Sequence, residues 1–552
     1  MKYLIIPSAT VVPSELQSQF GKIPACLFPL QGKTMLQRLV EKYQNFVDRI
    51  VVVVFQEKKM VYDYIAMTNL PVEILELKTL GRMGDTVKFG LQSVMSREEP
   101  AEAVFVNFAD TLISNVPYER SADVVYYTGE PISEEWTFFE HHEGRIHHIL
   151  DKCEPETKDR AIGDVFTGVF EFADPGALLE QMEIAEREGD GRIDPFYAAL
   201  SQYSEKRAFA CVLVGKWYDV GHWDKYLEAK TKVQARAFNT VEIDENRGIL
   251  TKSSTNREKF LKEIQWYLKM PADLQCFLPR IYSYSLDQNQ PYVSMEYYGY
   301  ATLHELFVFG EIPGAKWKHI FEKLFFLTQC MKANRYEGEG NRERALEDIY
   351  VKKTVARLMD LKKSGVMASF FEKPIRVNGV EYPPLDRYIE KLPELIRKKV
   401  IANQTEFCVI HGDLCFSNIL VENDYCFLRL IDPRGEFGEF DIYGDPRYEL
   451  AKLLHSLDGG YDFLIEDLFN VQIEGNDIIF ELPGKRDRVL KLFVETFSEE
   501  LKNFSVLKLI EALLFLSMVP LHGDYLNRQY AMLATGLRLV DEATEGDRSW
   551  MN

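Results

Sequence analysis

The chain has 552 residues, which is enough for two or more domains, and its ordinary shares of hydrophobic and charged residues (46% and 27%) exclude a wholly disordered protein. A net charge of −20 disfavours nucleic acid and anionic membranes as partners, because binding to a phosphate backbone needs a basic surface. A small phosphorylated ligand in a local basic pocket remains compatible with this charge.

The cysteines and the apolar runs indicate the cellular compartment of the protein. The eight cysteines include no C-x-x-C pair, so we expect reduced thiols and neither a zinc site nor a disulfide framework. The opening segment MKYLIIPSAT has too short an apolar run for a signal peptide, and we find no run of about eighteen apolar residues that would span a membrane. The sequence predicts a soluble, cytoplasmic protein without membrane insertion, and leaves its oligomeric state open.

Short apolar runs alternate with helical patterns in the first part of the chain. Residues 3–6, 50–55 and 103–108 are continuous apolar runs, as expected of strands that are buried on both faces of a sheet. The segment TMLQRLVEKYQNF between the first two runs has helical spacing, which completes a strand–helix–strand unit. We therefore predict an α/β domain over residues 1–230.

A different pattern begins after residue 230. The runs FNTVEI and GILTKSS flank the turn-rich segment DENRG and predict a hairpin, which a helical pattern and then the strand YVSMEYY follow. From residue 301 onward the pattern is mostly helical. We predict a small β-rich lobe over residues 231–300 and a large helical lobe over residues 301–552, which together make an α+β bilobal domain.

Four segments of the first domain resemble sugar-phosphate nucleotidyltransferases. They are KIPACLFPLQGKTMLQRLVEKY, the strand end VFVNFADTLI, FTGVFEF and KWYDVGHWDKYLEA. The resemblance implies a Rossmann-like mixed sheet and a magnesium site in which Asp110 and Asp219 bind the metal on the nucleotide phosphates. Two carboxylates that converge on one Mg²⁺ would serve nucleotidyl transfer by neutralising charge.

The same domain departs from that family at its first loop. Family members carry a Gly-rich loop that ends in Arg after the first strand, and its backbone N–H groups hold a triphosphate. Here the loop has no glycine before Gly21 and no arginine, and Ala25 stands where the family has a lysine. Lys22 is close enough to substitute and bind the nucleotide. The domain either transfers a nucleotide with an altered loop, or only binds a sugar-like ligand or supports its neighbour.

The second half contains the segment HGDLCFSNIL, followed by a strand that ends at Asp432. Carboxylates at strand ends are well placed to hold Mg²⁺, which takes a few protein oxygens and keeps other positions for water and phosphate. Asn418 and Asp432 can supply such oxygens, while Asp413 is left to accept a proton from an attacking hydroxyl. A satisfied structural turn is the competing interpretation.

This region resembles the aminoglycoside phosphotransferase and choline kinase superfamily, whose loop reads H-x-D-x-x-x-x-N before an Asp on the next strand. The resemblance implies a protein-kinase-like fold in which Asp413 is the catalytic base, Asn418 and Asp432 bind magnesium, and His411 belongs to the nucleotide site by supporting the loop. Arg434, two residues after the metal Asp, is a candidate contact for a phosphate or a carboxylate of the substrate.

The small lobe offers an independent check on this interpretation. A kinase of this type needs a strand Lys for the nucleotide phosphates and a helix Glu that holds it. Lys252 lies on the second strand of the predicted hairpin, and Glu263 falls on the apolar arc of the following helix, so we predict that they pair. The segment YVSMEYYG resembles the inter-lobe hinge that binds adenine, although no Gly-rich phosphate loop is visible.

Together these patterns predict a bifunctional enzyme. The second domain would use ATP and Mg²⁺ to phosphorylate a small alcohol, sugar or choline-like compound, and the first would join the product to a nucleotide from CTP or another NTP. Such a product would serve surface polysaccharide biosynthesis. The alternatives are a kinase with a catalytically silent nucleotidyltransferase-like domain, and a binding protein in which both halves are inactive.

Overall fold

The computed structural model describes the chain except for residues 31, 116–121, 153–161, 190, 232–238, 404, 548 and 552 and the side chains at 231, 239 and 485. The chain divides into two compact units, Met1–Val233 and Gln234–Asn552. Each unit has hydrophobic core clusters of its own.

A nine-stranded sheet forms the centre of the first unit. The strands described in this unit are β1 (Lys2–Ser8), β2 (Pro29–Leu30), β3 (Lys33–Thr34), β4 (Arg49–Val54), β5 (Val72–Glu76), β6 (Ala103–Asn107), β7 (Thr111–Ile113), β8 (Val124–Pro131), β9 (Thr137–His142), β10 (Arg145–Asp151), β11 (Ile162–Phe172), β12 (Ala210–Leu213) and β13 (Trp217–Asp219). Its helices are α1 (Ser14–Phe20), α2 (Met35–Tyr43), α3 (Lys58–Thr68), α4 (Met83–Met95), α5 (Pro175–Glu188), α6 (Pro195–Lys206) and α7 (Trp223–Thr231).

The sheet is mixed, as predicted. Its main path runs β10-β9-β11-β6-β1-β4-β5, with β8 and β12 attached through β11. The strands β6, β1, β4 and β5 are parallel, whereas β11 runs antiparallel to β6. The three predicted apolar runs form β1, β4 and β6, and all five residues of β6 are buried because both faces of the sheet are covered.

The predicted helix between the first two of these strands is α2. Thr34 precedes it and accepts a hydrogen bond from the backbone N–H of Gln37, which satisfies one of the free donors at the helix start. Leu36, Leu39 and Val40 lie on its buried face, at the spacing that packs a helix against a sheet.

The second unit has a β-rich lobe and a helical lobe, so the predicted bilobal α+β class is confirmed. Its described strands are β14 (Asn239–Asp244), β15 (Ile249–Ser254), β16 (Ile281–Ser285), β17 (Tyr292–Glu296), β18 (Ala301–Thr302), β19 (Ile375–Val377), β20 (Val380–Tyr382), β21 (Cys408–Val409), β22 (Ile419–Val421), β23 (Leu428–Leu430), β24 (Tyr443–Gly444), β25 (Asn470–Glu474) and β26 (Asp477–Glu481). Its α-helices are α8 (Arg257–Lys269), α9 (Leu303–Val308), α10 (Gly314–Ala333), α11 (Arg342–Leu346), α12 (Lys353–Ser364), α13 (Ala368–Glu372), α14 (Leu385–Ile396), α15 (Pro446–Leu457), α16 (Tyr461–Ile465), α17 (Lys485–Thr496), α18 (Phe504–Met518) and α19 (Leu526–Ala543).

The small lobe is an antiparallel sheet in the order β14-β15-β17-β16, with α8 between β15 and β16 in the chain. The predicted hairpin is β14 and β15, which pair in register from Asn239↔Ser254 to Asp244↔Ile249. The predicted hinge begins with β17 and leads into β18, which pairs with β22 of the large lobe. The hinge segment therefore joins the two lobes.

The large lobe is less purely helical than the sequence predicted. A four-stranded sheet, in the order β20-β19-β26-β25, lies within it and combines strands from two distant stretches of the chain. Each strand has only three to five residues, too few for an alternating pattern to stand out.

One segment among the described residues, Phe504–His522, is long and apolar enough to cross a membrane by length and composition, with a mean hydropathy of 1.9. Lys508 and Glu511 interrupt the segment, so it is not the uninterrupted apolar run that the sequence prediction excluded. In the structure this segment is mostly buried, and α18 packs against α19 and α15. Leu509, Ile510 and Leu516 are fully buried, as is usual for side chains of a helix in a hydrophobic core.

Candidate active site

The segment His411–Asn418 forms a loop that follows β21 in the second unit. The side-chain amide of Asn418 donates to the backbone oxygen of Asp413 at 2.9 Å and to its Oδ2 atom at 3.2 Å. Gly412 has a φ of +76°, in the left-handed region that favours glycine. These contacts bring the predicted base and one predicted metal ligand together.

His411 supports this loop from behind. It is 1% exposed, its Nε2 atom lies 3.0 Å from the carbonyl oxygen of Ile431, and its Nδ1 atom accepts the backbone N–H of Asp413 at 3.3 Å. Burial lowers the pKa of His411 to about 4, so the ring is neutral at pH 7. Its ring nitrogens contact backbone atoms of Ile431 and Asp413, so His411 positions the loop that carries Asp413.

Asp413 is held by a cation that the sequence analysis missed. Lys452 of α15 lies with Nζ 2.8 Å from Oδ1 of Asp413, whose side chain is 40% exposed. Burial alone would raise the pKa of Asp413, but the charge and the hydrogen bond of Lys452 lower it well below its ordinary value. Asp413 is therefore an ionised carboxylate that faces solvent.

Glu449, one helical turn before Lys452, was also missed. Its two carboxylate oxygens accept the backbone N–H groups of His411 and Gly412, both at 2.9 Å. Every residue of α15 after Pro446 is buried, so the helix has no exposed polar face that would have marked these two side chains as exceptional. Because α15 also contains Arg447 and His455, a polar residue in this stretch did not by itself distinguish Glu449 and Lys452.

The predicted pair of Lys252 and Glu263 is present. Nζ of Lys252 lies 2.7 Å from Oε1 of Glu263 and 2.8 Å from Oδ1 of Asp432. Burial would lower the pKa of Lys252, but the two carboxylates outweigh it and raise that pKa. One ammonium group therefore links the small lobe to the end of β23 in the large lobe.

These groups line one cavity of about 540 Å³, which includes Lys252, Glu263, Asp413, Asn418 and Asp432. Its volume is within the range of small-molecule sites. Asp432 has a φ of +56°, an uncommon conformation for a residue other than glycine, and such strain is found where a side chain must be aimed at a site.

The donor set suits magnesium shared with phosphates. Among the described residues, no group of three or more His, Cys, Asp or Glu side chains could hold a metal ion by itself. Asn418 and Asp432 instead line the same cavity. Mg²⁺ commonly takes one or two protein oxygens and completes its shell with water and nucleotide phosphate, so these two residues fit the ion.

The first unit brings its two predicted metal carboxylates together. A Cβ atom on Gly221 would lie 2.8 Å from Oδ2 of Asp110 and 3.1 Å from Oδ1 of Asp219, so both side chains approach the same glycine. Burial, followed by the charge of Asp219, raises the pKa of Asp110 to about 6. Two close carboxylates of this kind suit a divalent cation.

Asp219 is already well satisfied by the protein. It accepts hydrogen bonds from the indole Nε1 of Trp136 at 2.7 Å and the backbone N–H of Gly221 at 2.8 Å. Nδ1 of His222 lies 2.7 Å from the same carboxylate, and this hydrogen bond raises the pKa of His222 despite burial. The carboxylate is therefore fixed in orientation.

Apolar side chains form most of the buried part of the first loop of this unit. Val12, Leu16, Phe20 and Ile23 are at most 2% exposed, and they lie in and beside α1, where the resembled family has a Gly-rich loop. Lys22 is exposed and makes no hydrogen bond or ion pair with any described residue. The structure thus brings Asp110 and Asp219 together without Lys22.

No protein-family model matches the chain. The bifunctional protein GlmU of Methanococcus maripaludis is 24% identical over 241 residues, which cover 40% of this chain and 54% of that protein. The chain thus spans about half the length of that curated relative.

Two solved structures are similar to parts of this chain. CTP:phosphocholine cytidylyltransferase from Streptococcus pneumoniae has a TM-score of 0.34 and 11% identity, covering 42% of this chain and 99% of that one. An aminoglycoside phosphotransferase in a ternary complex with ADP and hygromycin B has a TM-score of 0.37 and 12% identity, covering 56% of this chain and 92% of that one.

Proposed function

We propose that the second unit transfers the γ-phosphoryl group of ATP to a hydroxyl group of a small molecule. The observation that carries the proposal is that one cavity contains Asp413, the Asn418 and Asp432 oxygens, and Lys252 held by Glu263. These are the parts that phosphoryl transfer requires of a protein, which mainly positions the reactants and balances their charge.

Each side chain has a separate task in this reaction. Lys252 binds phosphate oxygens of ATP, and Glu263 keeps its ammonium group in place. Asp413 orients the acceptor hydroxyl and takes its proton while the oxygen forms a bond to phosphorus and ADP leaves. Magnesium, held by Asn418 and Asp432, would neutralise charge on the phosphates.

Purified chain incubated with ATP, Mg²⁺ and a panel of hydroxyl compounds tests this function. ADP should form at a rate that depends on one class of compound, and the phosphorylated product should be detectable by mass spectrometry. Absence of any compound-dependent ADP formation, from protein that binds ATP, would contradict a phosphotransferase and favour a binding protein.

We further propose that the first unit transfers a nucleotide from CTP or another NTP to the phosphorylated product, releasing pyrophosphate. The convergence of Asp110 and Asp219 supports this role, since two carboxylates can hold the cation that a nucleotide carries. The product would be a nucleotide-activated compound suited to polysaccharide synthesis in the cytoplasm.

A catalytically silent first unit is the second candidate, and the apolar first loop favours it. Pyrophosphate release from each NTP in the presence of the phosphorylated product separates the two candidates. The variant Asp110→Ala should abolish that release and leave ADP formation unchanged. If no NTP yields pyrophosphate, the silent-domain alternative holds.

A further inference from the structure

The cavity of the second unit has more cations than its nucleotide site needs. Four carboxylates line it, and each has a lysine partner: Glu263 and Asp432 share Lys252, Asp413 pairs with Lys452, and Glu436 lies 2.7 Å from Lys262. Lys259, Lys353, Arg357 and Arg434 also line this cavity, yet within the described part of the chain none of these four forms an ion pair.

Three of these four cations come from two elements, the helix α12 and the loop that follows β23. Lys353 and Arg357 are one helical turn apart on α12, so they share a face of that helix. Arg434 follows the left-handed Asp432, and its Cβ would lie 2.9 Å from a Cβ on Gly412, next to Asp413. This places positive charge at the acceptor end of the cavity.

A buried tyrosine lies in the middle of this cluster. Arg434 donates from Nη1 to the hydroxyl of Tyr448 at 3.2 Å, and the Nζ atoms of Lys353 and Lys452 each lie 6.0 Å from the centre of its ring. Tyr448 raises the pKa of Lys353, but burial and the charges of Arg434 and Lys452 outweigh it and lower that pKa. Cations held this close together repel one another until an anion joins them.

We infer that the acceptor is a hydroxyl compound that carries a phosphate or carboxylate group, bound by Lys353, Arg357 and Arg434. The inference deepens the proposed phosphotransfer and rests on it for the role of Asp413. Arginine and lysine together suit such groups, because the guanidinium fork matches their paired oxygens. A cationic acceptor such as choline would meet like charge, so the choline-like candidate of the sequence analysis is disfavoured.

The remaining wall fits a small carbon skeleton. This wall is formed by apolar side chains, namely Leu514 and Met518 of α18 and Leu521, which follows it. An anionic group would bind at the cations, its carbon skeleton would lie against this wall, and its hydroxyl would reach Asp413.

Matched compounds test the inference. ADP formation should be compared for glucose, glucose 1-phosphate, glucuronate, glycerol, glycerol 3-phosphate, glycerate and choline. The anionic members should support turnover, and their neutral counterparts should have a kcat/KM at least about tenfold lower, the loss expected when charge-assisted hydrogen bonds are missing. Fastest turnover with choline or with a neutral compound would overturn the inference.

Substitutions of the cations test where the anionic group of the acceptor binds. Arg357→Gln and Lys353→Gln should each raise KM for the anionic acceptor about tenfold or more while KM for ATP changes less than about twofold. Lys363→Gln is the matched control, because Lys363 is on the same helix with a side chain that is 74% exposed. An equal increase of KM for ATP would mean that the cations bind nucleotide phosphates, and the inference would be wrong.

A binding measurement separates this inference from the proposed function. Inorganic phosphate titrated into the full chain by calorimetry should bind, and Arg357→Gln should weaken the binding about tenfold or more, whereas Lys252→Gln should leave it nearly unchanged. Phosphate binding without any turnover would retain the anion site and reject the kinase. Absence of binding by phosphate and by every anionic compound of the panel would reject the anion site whatever the turnover.

Discussion

Lys452 holds Asp413 in its ionised form in the lining of the cavity of the second unit. Nζ of Lys452 lies 2.8 Å from Oδ1 of Asp413, and the lysine itself is almost fully buried in α15. A buried ammonium group is stable only beside a fixed anion. The pair therefore fixes the position of the carboxylate and leaves its second oxygen directed toward the loop amide of Asn418.

Replacing Asp413 by Asn tests its role as the base. The amide keeps the shape of the side chain but cannot accept the proton, so kcat should fall by about 10² to 10⁴ with little change in KM for ATP. ADP formation at saturating acceptor measures this effect. Asp424→Asn, at an exposed aspartate of the same unit, should leave kcat unchanged, and a fully active Asp413→Asn protein would remove Asp413 as the base.

The pH profile of kcat/KM should change when Lys452 is replaced. Because Lys452 lowers the pKa of Asp413 well below its ordinary value, the carboxylate of the native protein stays ionised as the pH falls to 5. In Lys452→Met that effect is lost and burial raises the pKa, so activity should begin to fall at a higher pH than in the native protein. If kcat/KM fell at the same acidic pH in the native protein and in Lys452→Met, this account of the ion pair would be contradicted.

The sequence was sufficient for the parts of the site that depend on local spacing. His411, Asp413 and Asn418 lie within one short loop, and the pairing of Lys252 with Glu263 followed from the apolar arc of one helix. Glu449 and Lys452 were missed because their partners come from a distant stretch of the chain. In addition, an almost entirely buried helix has no alternation of buried and exposed positions against which a buried charge would stand out.

The same limit applies to the fold. Long apolar runs predicted β1, β4 and β6, because each strand is buried on both faces and its apolar residues therefore follow one another in the sequence. The short strands of the large-lobe sheet β20-β19-β26-β25 form only when two distant segments meet, so no local pattern indicated them. The apolar length of α18 was missed as well, since Lys508 and Glu511 interrupt it without exposing it.

His411 should make the second unit less stable in acid. Its pKa is about 4 when folded and about 6.5 when unfolded, so only the unfolded chain takes up the proton between these values. Stability is therefore lost as the pH falls from about 6.5 towards 4, by about 2 kcal/mol between pH 7 and pH 5.

Urea unfolding of the native chain and of His411→Asn at these two pH values measures the difference. The aromatic signal of Trp266, whose ring packs edge-on against His411, reports on this unit. The variant should lose about 2 kcal/mol less than the native chain on going from pH 7 to pH 5. Equal losses would mean that His411 is not a buried neutral ring.

Lys252→Met should damage stability and activity through separate causes. It leaves the carboxylates of Glu263 and Asp432 without their shared cation, which should cost about 3 kcal/mol or more of unfolding free energy. It also removes the phosphate ligand, so ATP turnover should be lost.

The double variant Lys252→Met/Glu263→Leu separates the two effects. Removing the buried carboxylate together with its partner should restore much of the stability, because a buried ion pair can be replaced by apolar groups at little cost. Activity should not return. A double variant that is as unstable as Lys252→Met would show that Glu263 contributes more than its pairing with Lys252.

Gly221→Ala tests the carboxylate pair of the first unit without removing either acid. The added methyl group would lie 2.8 Å from Oδ2 of Asp110, closer than such atoms approach, and 3.1 Å from Oδ1 of Asp219, a tight contact. Asp110 must therefore shift, and Asp219 must yield by a few tenths of an ångström. If both hold the cation of a nucleotide, pyrophosphate release should fall about tenfold or more, since small displacements of this kind cost up to about a hundredfold. ADP formation by the second unit should not change.

Gly215→Ala is the control, because its methyl group would only reach ordinary contact with Oγ of Ser114 at 3.5 Å. Unchanged pyrophosphate release in Gly221→Ala would mean that Asp110 and Asp219 do not act as a pair.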